Sequence, residues 1–407
     1  MKILHTADWH LGKKLETFSR FDEQIAVLDE ICQVADDQNV DVVLIAGDIF
    51  DAFNPPTDAE DLFYKTVKRL ANDGKRLVVA IAGNHDSADR IAAPDPLARE
   101  CGIIMVGYHN GIVPKFKLPS GIEVLQSDEG FVEIQLPEND HPLRIITTPY
   151  VNELRLKKEL TADDRELEFR TILETKWATL AGKYCDNKGV NILMTHLFFV
   201  KKGDEVNEKE ESEDEKSILY VGGAQPIYSN NIPKGIQYVA LGHLHRKQTI
   251  AEKPCPMVYA SSPLAYSFSE ANQQKYVVII DAQPNQKVEV ESIKLHQGRR
   301  LLRNKFSEID EAVKWLKDNP NALVELTIHT ETYLTGVEKR RLLDAHDGIV
   351  SIIPIITDNE QVAGRQRAVI DLEKNINQLF VDYFEHKNAG LAPNKELIDL
   401  FNELKGL

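Results

Sequence analysis

Five apolar, strand-like segments of this chain each end at a side chain that can bind a metal ion. The segments are KILHTADWH, DVVLIAGD, RLVVAIAGNHD, NILMTH and YVALGHLH, and the residues at their ends are Asp8, His10, Asp48, Asn84, His85, His196, His243 and His245. The carboxyl ends of parallel strands meet at one edge of a sheet, where open α/β proteins place their ligands. The sequence therefore predicts an α/β protein with a metal site along one edge of a sheet.

Helix-like and strand-like patterns alternate from the start of the chain. The first helical pattern spaces apolar residues by three and four, at Phe21, Ile25, Leu28, Cys32 and Ala35. Capping-box spacing predicts helix starts at Thr57 with Glu60 and at Ser307 with Asp310. A QPNQ turn predicts a hairpin of YVVIID with KVEVESIKL. Because the early strands are almost uniformly apolar, we expect their sheet to be covered on both faces.

The length of 407 residues predicts two or three domains. We assign 1–297 to the first domain, 298–357 to a small α+β domain with two helices, and 358–407 to a linker with two amphipathic helices. These last helices either pack back on the body of the protein or dock a partner, and the pattern favours neither. Residues 203–216 carry eight acids against two lysines, and we expect a solvated loop there.

Composition narrows the class of protein. The net charge of -16 argues against binding of nucleic acid by the overall field of the chain, although divalent ions locally reverse the sign of an acidic site. No segment has the length and apolarity of a membrane span, and the first strand begins too early for a signal peptide. The cysteines are far apart, so we expect reduced, buried thiols and a cytoplasmic protein. They are Cys32, Cys101, Cys185 and Cys255.

The polar strand ends supply more ligands than one tetrahedral ion needs, which favours two metal ions. Asp8 with His10, and His243 with His245, are two residues apart, so in extended backbone each pair points to one side. Carboxylate, amide and imidazole ligands without thiolate suit Mn, Fe or Zn. Two such ions about 3.5–4 Å apart are the usual means of hydrolysing a phosphate ester, and we predict that reaction.

Position along the chain suggests individual roles. Asp48 is best placed to bridge the two ions, and Gly47 and Gly83 let the backbone turn before Asp48 and Asn84. His85 is out of phase with Asn84, so we assign it to proton transfer or charge stabilisation rather than to metal binding. We expect Asp86 to orient His85, and we expect Asp51 to contact the metal ligands without binding an ion itself. The remaining histidines are interpreted as structural, surface or turn residues: His5, His109, His141, His329, His346 and His386.

The segments DWHLG, GDIFD, GNHD, THLFF and GHLH, in this order and spacing, resemble the calcineurin-like metallophosphoesterases. ILHTADWHLG, IAGNHD, YVALGHLHR and SSPLAYSFSE resemble more closely the double-strand-break repair nucleases of that superfamily, over essentially the whole chain. The resemblance implies a four-layer α/β sandwich with a small α+β capping domain and a C-terminal helical tail. One departure is Ser261, where that family commonly has glycine in a GSP turn.

The resemblance also implies ligands, activity and partners. It places one manganese ion on Asp8, His10, Asp48 and His245, the second on Asp48, Asn84, His196 and His243, and the catalytic role on His85. Mg²⁺ or other divalent ions are possible substitutes. It implies 3′→5′ double-strand exonuclease and single-strand or hairpin endonuclease activity on DNA, and a homodimer within a heterotetramer. It also implies that the tail docks an SMC-like ATPase subunit, which handles the ATP. This chain has no GxxxxGK[ST] loop, so we expect that it does not hydrolyse ATP itself.

Two alternatives to the nuclease stay open at this point. A small-substrate phosphodiesterase or phosphatase of the same fold would use the same site, but it does not need the additional domain and tail. A DNA-bound scaffold with a vestigial site would lack a ligand, and none is missing. Phosphate contacts would come from basic residues that otherwise are solvated surface groups, namely Lys13, Lys14, Arg299, Arg300, Arg303, Lys339, Arg340 and Arg341.

Overall fold

The computed structural model describes residues 1–156, 165–202, 226–330, 334–356 and 376–387, together with 393, 397–398 and 401. The predicted acidic loop at 203–216 and the predicted linker after 357 lie outside the described residues. The chain divides into two compact units. One comprises Met1–Ile328 with Gly336–Ile353, and the other comprises His329–Thr335 with Pro354–Leu407.

The strands alternate with helices through the first part of the chain, as predicted. In chain order the first ten strands are β1 (Lys2–Thr6), β2 (Lys14–Leu15), β3 (Phe18–Ser19), β4 (Val42–Ala46), β5 (Leu77–Ile81), β6 (Ile103–Val106), β7 (Glu123–Asp128), β8 (Phe131–Gln135), β9 (Leu143–Thr148) and β10 (Val190–His196). The next ten are β11 (Phe199–Val200), β12 (Ile227–Tyr228), β13 (Tyr238–Gly242), β14 (Gln248–Ala251), β15 (Met257–Tyr259), β16 (Tyr276–Asp281), β17 (Glu289–Lys294), β18 (Arg300–Phe306), β19 (Ala322–Thr330) and β20 (Ile349–Ile356). The predicted hairpin is confirmed as the antiparallel pair β16–β17.

The helices among the described residues are α1 (Phe21–Asp37), α2 (Thr57–Leu70), α3 (Ala88–Ala92), α4 (Asp95–Arg99), α5 (Glu153–Leu156), α6 (Arg165–Tyr184), α7 (Ile309–Asp318), α8 (Gly336–Ala345) and α9 (Ile376–Lys387). The helix start predicted at Thr57 is confirmed, α7 begins at Ile309, and neither predicted capping box forms. Pro56 and Glu308 occupy the N-cap positions of α2 and α7, and neither helix has a side-chain capping bond. Thr57 is the first residue inside the helix. A side-chain oxygen bonds the free amides of the first turn from the N-cap position, which here is Pro56.

Two large mixed sheets form the body of the protein. One has six strands in the order β17-β16-β1-β4-β5-β6, and the other has seven in the order β14-β15-β13-β10-β9-β8-β7. In the first sheet β1, β4, β5 and β6 run parallel, and in the second β9, β10, β13 and β15 do so. Each sheet therefore presents a row of carboxyl strand ends at one edge.

Alternation along the strands builds three apolar layers. Val42 and Leu44 pack in the core between the sheets, while Val43 and Ile45 of the same strand pack with α1 and α2 on the outer face. The second sheet does the same, with Ile192 between the sheets and α6 covering its outer side. The expected four-layer α/β sandwich is confirmed. Because both faces of each sheet are buried at its centre, the central strands β4, β5, β10 and β13 are apolar almost throughout.

The third sheet is smaller and has the order β18-β19-β20. Its first strand begins at Arg300, and α7 and α8 lie in the same stretch of chain, so the predicted content of strands and two helices is observed. That 298–357 form a separate domain stays a prediction. In the second compact unit, the Phe380 ring of α9 stacks on Phe401 with centroids 4.1 Å apart. No helix among the described residues is long and apolar enough to cross a membrane. All four cysteines are free, and Cys32 and Cys255 are buried.

Candidate metal centre

The five predicted strand ends come from two sheets that face each other. β1, β4 and β5 deliver Asp8, Asp48 and Asn84 from the first sheet, and β10 and β13 deliver His196 and His243 from the second. The prediction of one sheet edge is therefore wrong. Two parallel edges meet above the shared core, which brings residues more than 100 positions apart within hydrogen-bond distance of one another.

Four of the site residues lie in strained backbone rather than in extended strands. Asp8, His10, Asp48 and His243 have φ values of 55°, 45°, 48° and 112°. Residues other than glycine rarely adopt this region, and each instance costs about 1–3 kcal/mol. β1 ends at Thr6 and β13 at Gly242, so two-residue alternation does not align Asp8 with His10 or His243 with His245. The turns after the strands align them.

Two glycines are required here by close approach. A Cβ on Gly83 would lie 2.1 Å from Asp48 Oδ1 and 2.2 Å from Asp48 N, and a Cβ on Gly242 would lie 1.9 Å from the Ala46 carbonyl oxygen. Gly47 also has a left-handed φ of 91°, as expected for a turn. The absence of a side chain at Gly83 lets the ends of β4 and β5 approach each other, and its absence at Gly242 lets the two sheets touch, which brings the polar residues together.

One group of donor atoms is formed by Asp8, His10 and His245, whose ligand atoms lie within 4.8 Å of one another. The Nε2 atoms of His10 and His245 are 3.0 Å apart. Asp8 Oδ1 accepts a hydrogen bond from the His243 amide at 2.8 Å. Among the described residues, Asp8 Oδ2 has no hydrogen-bond partner although it is buried.

A second group gathers around Asn84 and His196. Asn84 Oδ1 is 2.9 Å from His196 Nε2 and 3.1 Å from His243 Nδ1. The buried Nε2 atom of His243 finds no partner in the described part of the chain. His196 Nδ1 donates to the Ala46 carbonyl at 2.8 Å, which leaves its Nε2 directed at the group.

Asp48 lies between the two groups. Its Oδ2 is 3.2 Å from His196 Nε2 and 3.6 Å from His10 Nε2. Its Oδ1 is held by the His85 amide at 2.9 Å. The carboxylate is thus fixed by one oxygen and offers the other to both groups, which is the arrangement that a bridging ligand needs.

Electrostatics suit the group to divalent cations. Burial lowers the pKa of His10 and of His243 to about 3, so both imidazoles are neutral and present lone pairs. Although burial opposes its ionisation, the His196 charge holds the pKa of Asp48 well below its usual range. Burial raises the pKa of Asp8 to about 7, against the opposing charge of His196. Mn, Fe and Zn bind carboxylate oxygens and neutral imidazole nitrogens. The site offers such atoms, and two of them, Asp8 Oδ2 and His243 Nε2, have no hydrogen-bond donor among the described residues.

His85 is half-buried beside the first group. Its ring centroid lies 4.8 Å from that of His10, and its Nδ1 donates to the Asp51 carbonyl oxygen at 2.8 Å. The prediction that Asp86 orients His85 is wrong. The Asp86 carboxylate instead accepts hydrogen bonds from the amides of Gly83, Ile49 and Phe50, and so ties two strand-end loops together.

Asp51 contacts the ligand His10, as expected for a residue that supports a ligand without binding an ion itself. Its Oδ1 lies 3.4 Å from His10 Nδ1 and accepts a hydrogen bond from Lys13 at 3.1 Å. Although burial opposes this, the contacts with His10 and Lys13 lower the pKa of Asp51 to about 2. The carboxylate is therefore ionised next to the His10 ring.

Sequence reasoning missed several residues that hold the site. Arg155 donates to the carbonyl oxygens of Gly83 at 2.9 Å and Asp86 at 2.7 Å, which clamps the loop that carries Asn84 and His85. Glu270 and Lys275 form a buried ion pair against His245. Glu270 falls inside the SSPLAYSFSE segment, but its residue type and spacing give no signal of a contact with His245, which precedes it by 25 residues.

Other predicted residues keep the ordinary roles expected of them. His5 is buried, with Nδ1 3.0 Å from the Tyr238 hydroxyl, and His346 accepts a hydrogen bond from Gly348 N within a turn. Ser261 adopts φ 85°, as glycine would, and its hydroxyl accepts from Tyr276 N at 3.1 Å. That bond explains how serine serves in the predicted glycine turn. Several of the basic candidates are ion-paired, with Lys13 on Asp51, Arg299 on Glu23, Arg303 on Glu325 and Arg341 on Asp310.

Comparison with known proteins gives consistent matches. Residues 1–247, which include all five strand ends, match the calcineurin-like phosphoesterase family. The chain is 35% identical to the SbcD subunit of nuclease SbcCD from Bacillus subtilis, over 99% of this chain and 97% of that protein. It is 30% identical to the Rhodobacter capsulatus protein of the same name, over 69% of this chain and 66% of that one. For the Escherichia coli K12 protein the identity is 26%, over 93% and 92%.

Proposed function

Because the chain belongs to the calcineurin-like phosphoesterase family and is similar over nearly its full length to the SbcD subunit of nuclease SbcCD, we propose that it is the DNA nuclease subunit of an SbcCD-type complex. The observation that carries this proposal is the position of Asp48 Oδ2, 3.2 Å from His196 Nε2 and 3.6 Å from His10 Nε2. One carboxylate oxygen shared by two donor groups is what a two-metal phosphodiesterase requires.

The two ion sites share Asp48. Asp8, His10, Asp48 and His245 would hold one ion, and Asp48, Asn84, His196 and His243 would hold the other. When bound, such ions polarise the phosphoryl oxygens and lower the pKa of an attacking water. The chain's own contribution is to fix the ligands rigidly, since Asp48 Oδ1, Asp8 Oδ1 and His196 Nδ1 are each anchored to backbone.

His85 is the proposed proton-transfer residue. A carbonyl oxygen only accepts, so the 2.8 Å contact with the Asp51 carbonyl places a proton on His85 Nδ1. Nε2 is then the ring atom that exchanges the second proton, and in the doubly protonated ring it would donate that proton to the leaving oxygen of the cleaved ester or stabilise charge there. Half-burial keeps the ring accessible to a substrate while its orientation is held.

We assign Mn²⁺ as the native ion, with Mg²⁺ or other divalent ions as substitutes. The donor set is compatible with Mn²⁺, since it mixes carboxylate and amide oxygens with imidazole nitrogens and lacks thiolate. Equilibrium binding of Mn²⁺, Zn²⁺ and Fe²⁺ to the metal-free protein, followed by activity with each ion, tests this assignment. Activity with Zn²⁺ but not with Mn²⁺ would contradict it.

A cleft beside the centre supports a polymeric substrate. It has a volume of about 480 Å³ and runs between the Lys13–Thr17 loop, the Tyr266–Ser269 segment and the β18–β20 sheet. Lys13, Lys14 and Arg303 line it, and the Tyr266 ring lies 5.6 Å from that of His10. The lining sets these three basic side chains against Glu16 and Glu325, so it is less negative than the chain as a whole where a phosphate backbone would approach.

The proposed activities are 3′→5′ exonuclease action on duplex DNA and endonuclease action on single strands and hairpins. They fit a role in DNA repair, recombination and replication, with the protein in the cytoplasm and associated with the nucleoid. The test is cleavage of linear duplex and hairpin DNA with Mn²⁺, with and without the ATPase subunit. His85→Ala should abolish cleavage, and His141→Ala, a turn histidine, should not. Cleavage of small phosphodiesters but of no DNA under any of these conditions would reject the nuclease proposal.

The domain roles are part of the same proposal. Residues 1–297 form the nuclease domain, 298–357 cap it, and 358–407 link to and dock an SbcC-type SMC-like ATPase, with two copies of each subunit in a heterotetramer. In α9 the Tyr383 side chain is 61% exposed, so this helix offers an aromatic surface to a partner. Truncation after residue 365 should abolish co-purification of the ATPase and leave metal-dependent phosphodiesterase activity. Retained co-purification would refute the docking role.

A further inference from the structure

A buried ion pair lies directly behind one of the proposed metal ligands. Glu270 is 2% exposed and Lys275 is 6% exposed. Charged side chains are almost never this deeply buried unless they are paired, because removing a charge from water is costly. The catalytic steps proposed above use neither residue.

The pair contacts both the ring and the backbone of His245. Glu270 Oε1 lies 3.3 Å from His245 Nδ1 and also accepts a hydrogen bond from the Tyr266 amide at 3.2 Å. The Lys275 ammonium donates to the His245 carbonyl oxygen and to Ser262 Oγ, each at 2.9 Å, and to Glu270 Oε2. An ammonium has three hydrogens to donate, so every one of them is used.

This geometry fixes the tautomer of His245. An ionised carboxylate accepts hydrogen bonds and does not donate them, so its neighbour Nδ1 carries the proton. Nε2 is left with its lone pair, and it faces His10 Nε2 at 3.0 Å within the first donor group. A carboxylate on the far nitrogen of a metal-binding histidine orients the ring, and its loss typically weakens metal binding 10–100-fold.

The two ion sites differ in this respect. Behind His10 stands a second lysine-paired carboxylate, that of Asp51 at 3.4 Å, although its side chain is 31% exposed. In the other site, His196 Nδ1 donates to the neutral Ala46 carbonyl at 2.8 Å, and the carboxylate of the ligand Asp8 lies farther off, at 3.9 Å. The buried acceptor at Glu270 is therefore specific to the ion that His10 and His245 share.

We propose that Glu270, held in place by Lys275, is a positioning residue that keeps His245 Nε2 available and selectively strengthens the ion shared by His10 and His245. The inference rests on the two-ion centre of the proposed function and adds a residue that acts through a ligand. It concerns metal binding alone, so it is tested without DNA.

The test measures Mn²⁺ binding to the full-length chain by calorimetry and by the electron paramagnetic resonance signal of a coupled manganese pair. Glu270→Gln keeps the shape of the side chain and removes its charge. The dissociation constant of one ion should rise about 10–100-fold, with the other unchanged and the coupled signal replaced by that of a single ion. The ion that remains should match the one that remains in His10→Ala. Glu289→Gln, on the exposed strand β17, is the matched control and should leave both ions unchanged.

A second variant separates positioning from stability. Loss of Glu270 alone leaves Lys275 buried without its partner, so Glu270→Leu with Lys275→Met removes both charges together. A folded double variant that still loses the same ion supports the proposal. Mn²⁺ binding equal to that of the parent chain in both variants would overturn it. If the parent chain binds two ions but cleaves no DNA, the nuclease proposal fails and this one stands.

Discussion

Gly83→Ala should disable the centre while leaving the fold intact. Gly83 follows β5 and passes so close to Asp48 that a Cβ would lie 2.1 Å from Asp48 Oδ1 and 2.2 Å from Asp48 N. One of these atoms belongs to the backbone, so the clash cannot be relieved by turning a flexible side chain. Either the Asp48 carboxylate or the loop that carries Asn84 and His85 must move.

The size of that movement can be read from the contact distances. Ordinary van der Waals contact begins at 3.4 Å, so a separation of 2.1 Å has to widen by about 1.3 Å. Asp48 Oδ2 is 3.2 Å from His196 Nε2, and Oδ1 is 2.9 Å from the His85 amide. A shift of this size breaks one contact or the other. A misplacement of about 1 Å can reduce a catalysed rate about 100-fold, which corresponds to about 2.7 kcal/mol of transition-state stabilisation.

The assay is kcat/KM for Mn²⁺-dependent cleavage of a linear DNA duplex, with thermal unfolding measured in parallel. Gly182→Ala is the matched control, because Gly182 lies in α6 with nothing within 4 Å of the added Cβ. That substitution should leave the rate unchanged and raise the free energy of unfolding by up to about 1 kcal/mol. A Gly83→Ala enzyme with the rate and metal affinity of the parent would show that this close approach does not position Asp48.

Three further predictions concern protons, an ion pair and the core. Mn²⁺ binding at pH 7 should release protons, and it should weaken as the pH falls. The reason is that the metal displaces protons from Asp8, with a pKa of about 7, and from His196, with a pKa of about 9. Titration with Mn²⁺ in weak buffer measures the released protons. Glu23→Gln should cost about 3 kcal/mol, since it leaves the buried Arg20 guanidinium unpaired. The Glu23 pKa is lowered by Arg20 despite burial, so this difference in unfolding free energy should be complete above the ordinary carboxyl pKa of about 4.3 and shrink below it. Trp177→Ala should destabilise by about 3–5 kcal/mol in denaturant unfolding, because the side chain is fully buried and donates to Thr148 Oγ1.

Each of these predictions has a result that would contradict it. Mn²⁺ binding without proton release at pH 7 would mean that Asp8 and His196 hold no displaceable proton. If Glu23→Gln lowers the free energy of unfolding by the same amount at pH 3 and at pH 7, the negative charge of Glu23 is not what stabilises the fold. Trp177→Ala should be compared with Leu167→Ala on the same helix, where the side chain is 55% exposed. Equal effects of the two would contradict the position of Trp177 in the core.

The elements around the metal centre show which parts of the fold could be predicted from the sequence. The order of strands and helices, the hairpin at β16–β17 and the covering of both sheet faces follow from the apolar pattern, because burial of both faces leaves a strong signal in the residues. The four-layer sandwich itself was implied by the family resemblance. The predicted reason for convergence was wrong, since Asp8 and His10 meet through left-handed backbone at φ 55° and 45° rather than through strand alternation. The N-caps were also misplaced, because Thr57 and Ser307 satisfy the spacing while Pro56 and Glu308 occupy the position.

By itself the sequence determined which residues are available to the centre, because strand ends with Asp, Asn and His are written locally in the chain. Only the tertiary structure decided how these residues are divided between the two donor groups. Two sheets had to face each other before Asp48 could stand between His10 and His196, and side-chain direction there depends on φ values and on contacts across the core. The contact of Glu270 with His245 was likewise set by packing, since a buried ion pair forms wherever the folded chain places its partners, and no spacing in the sequence records that.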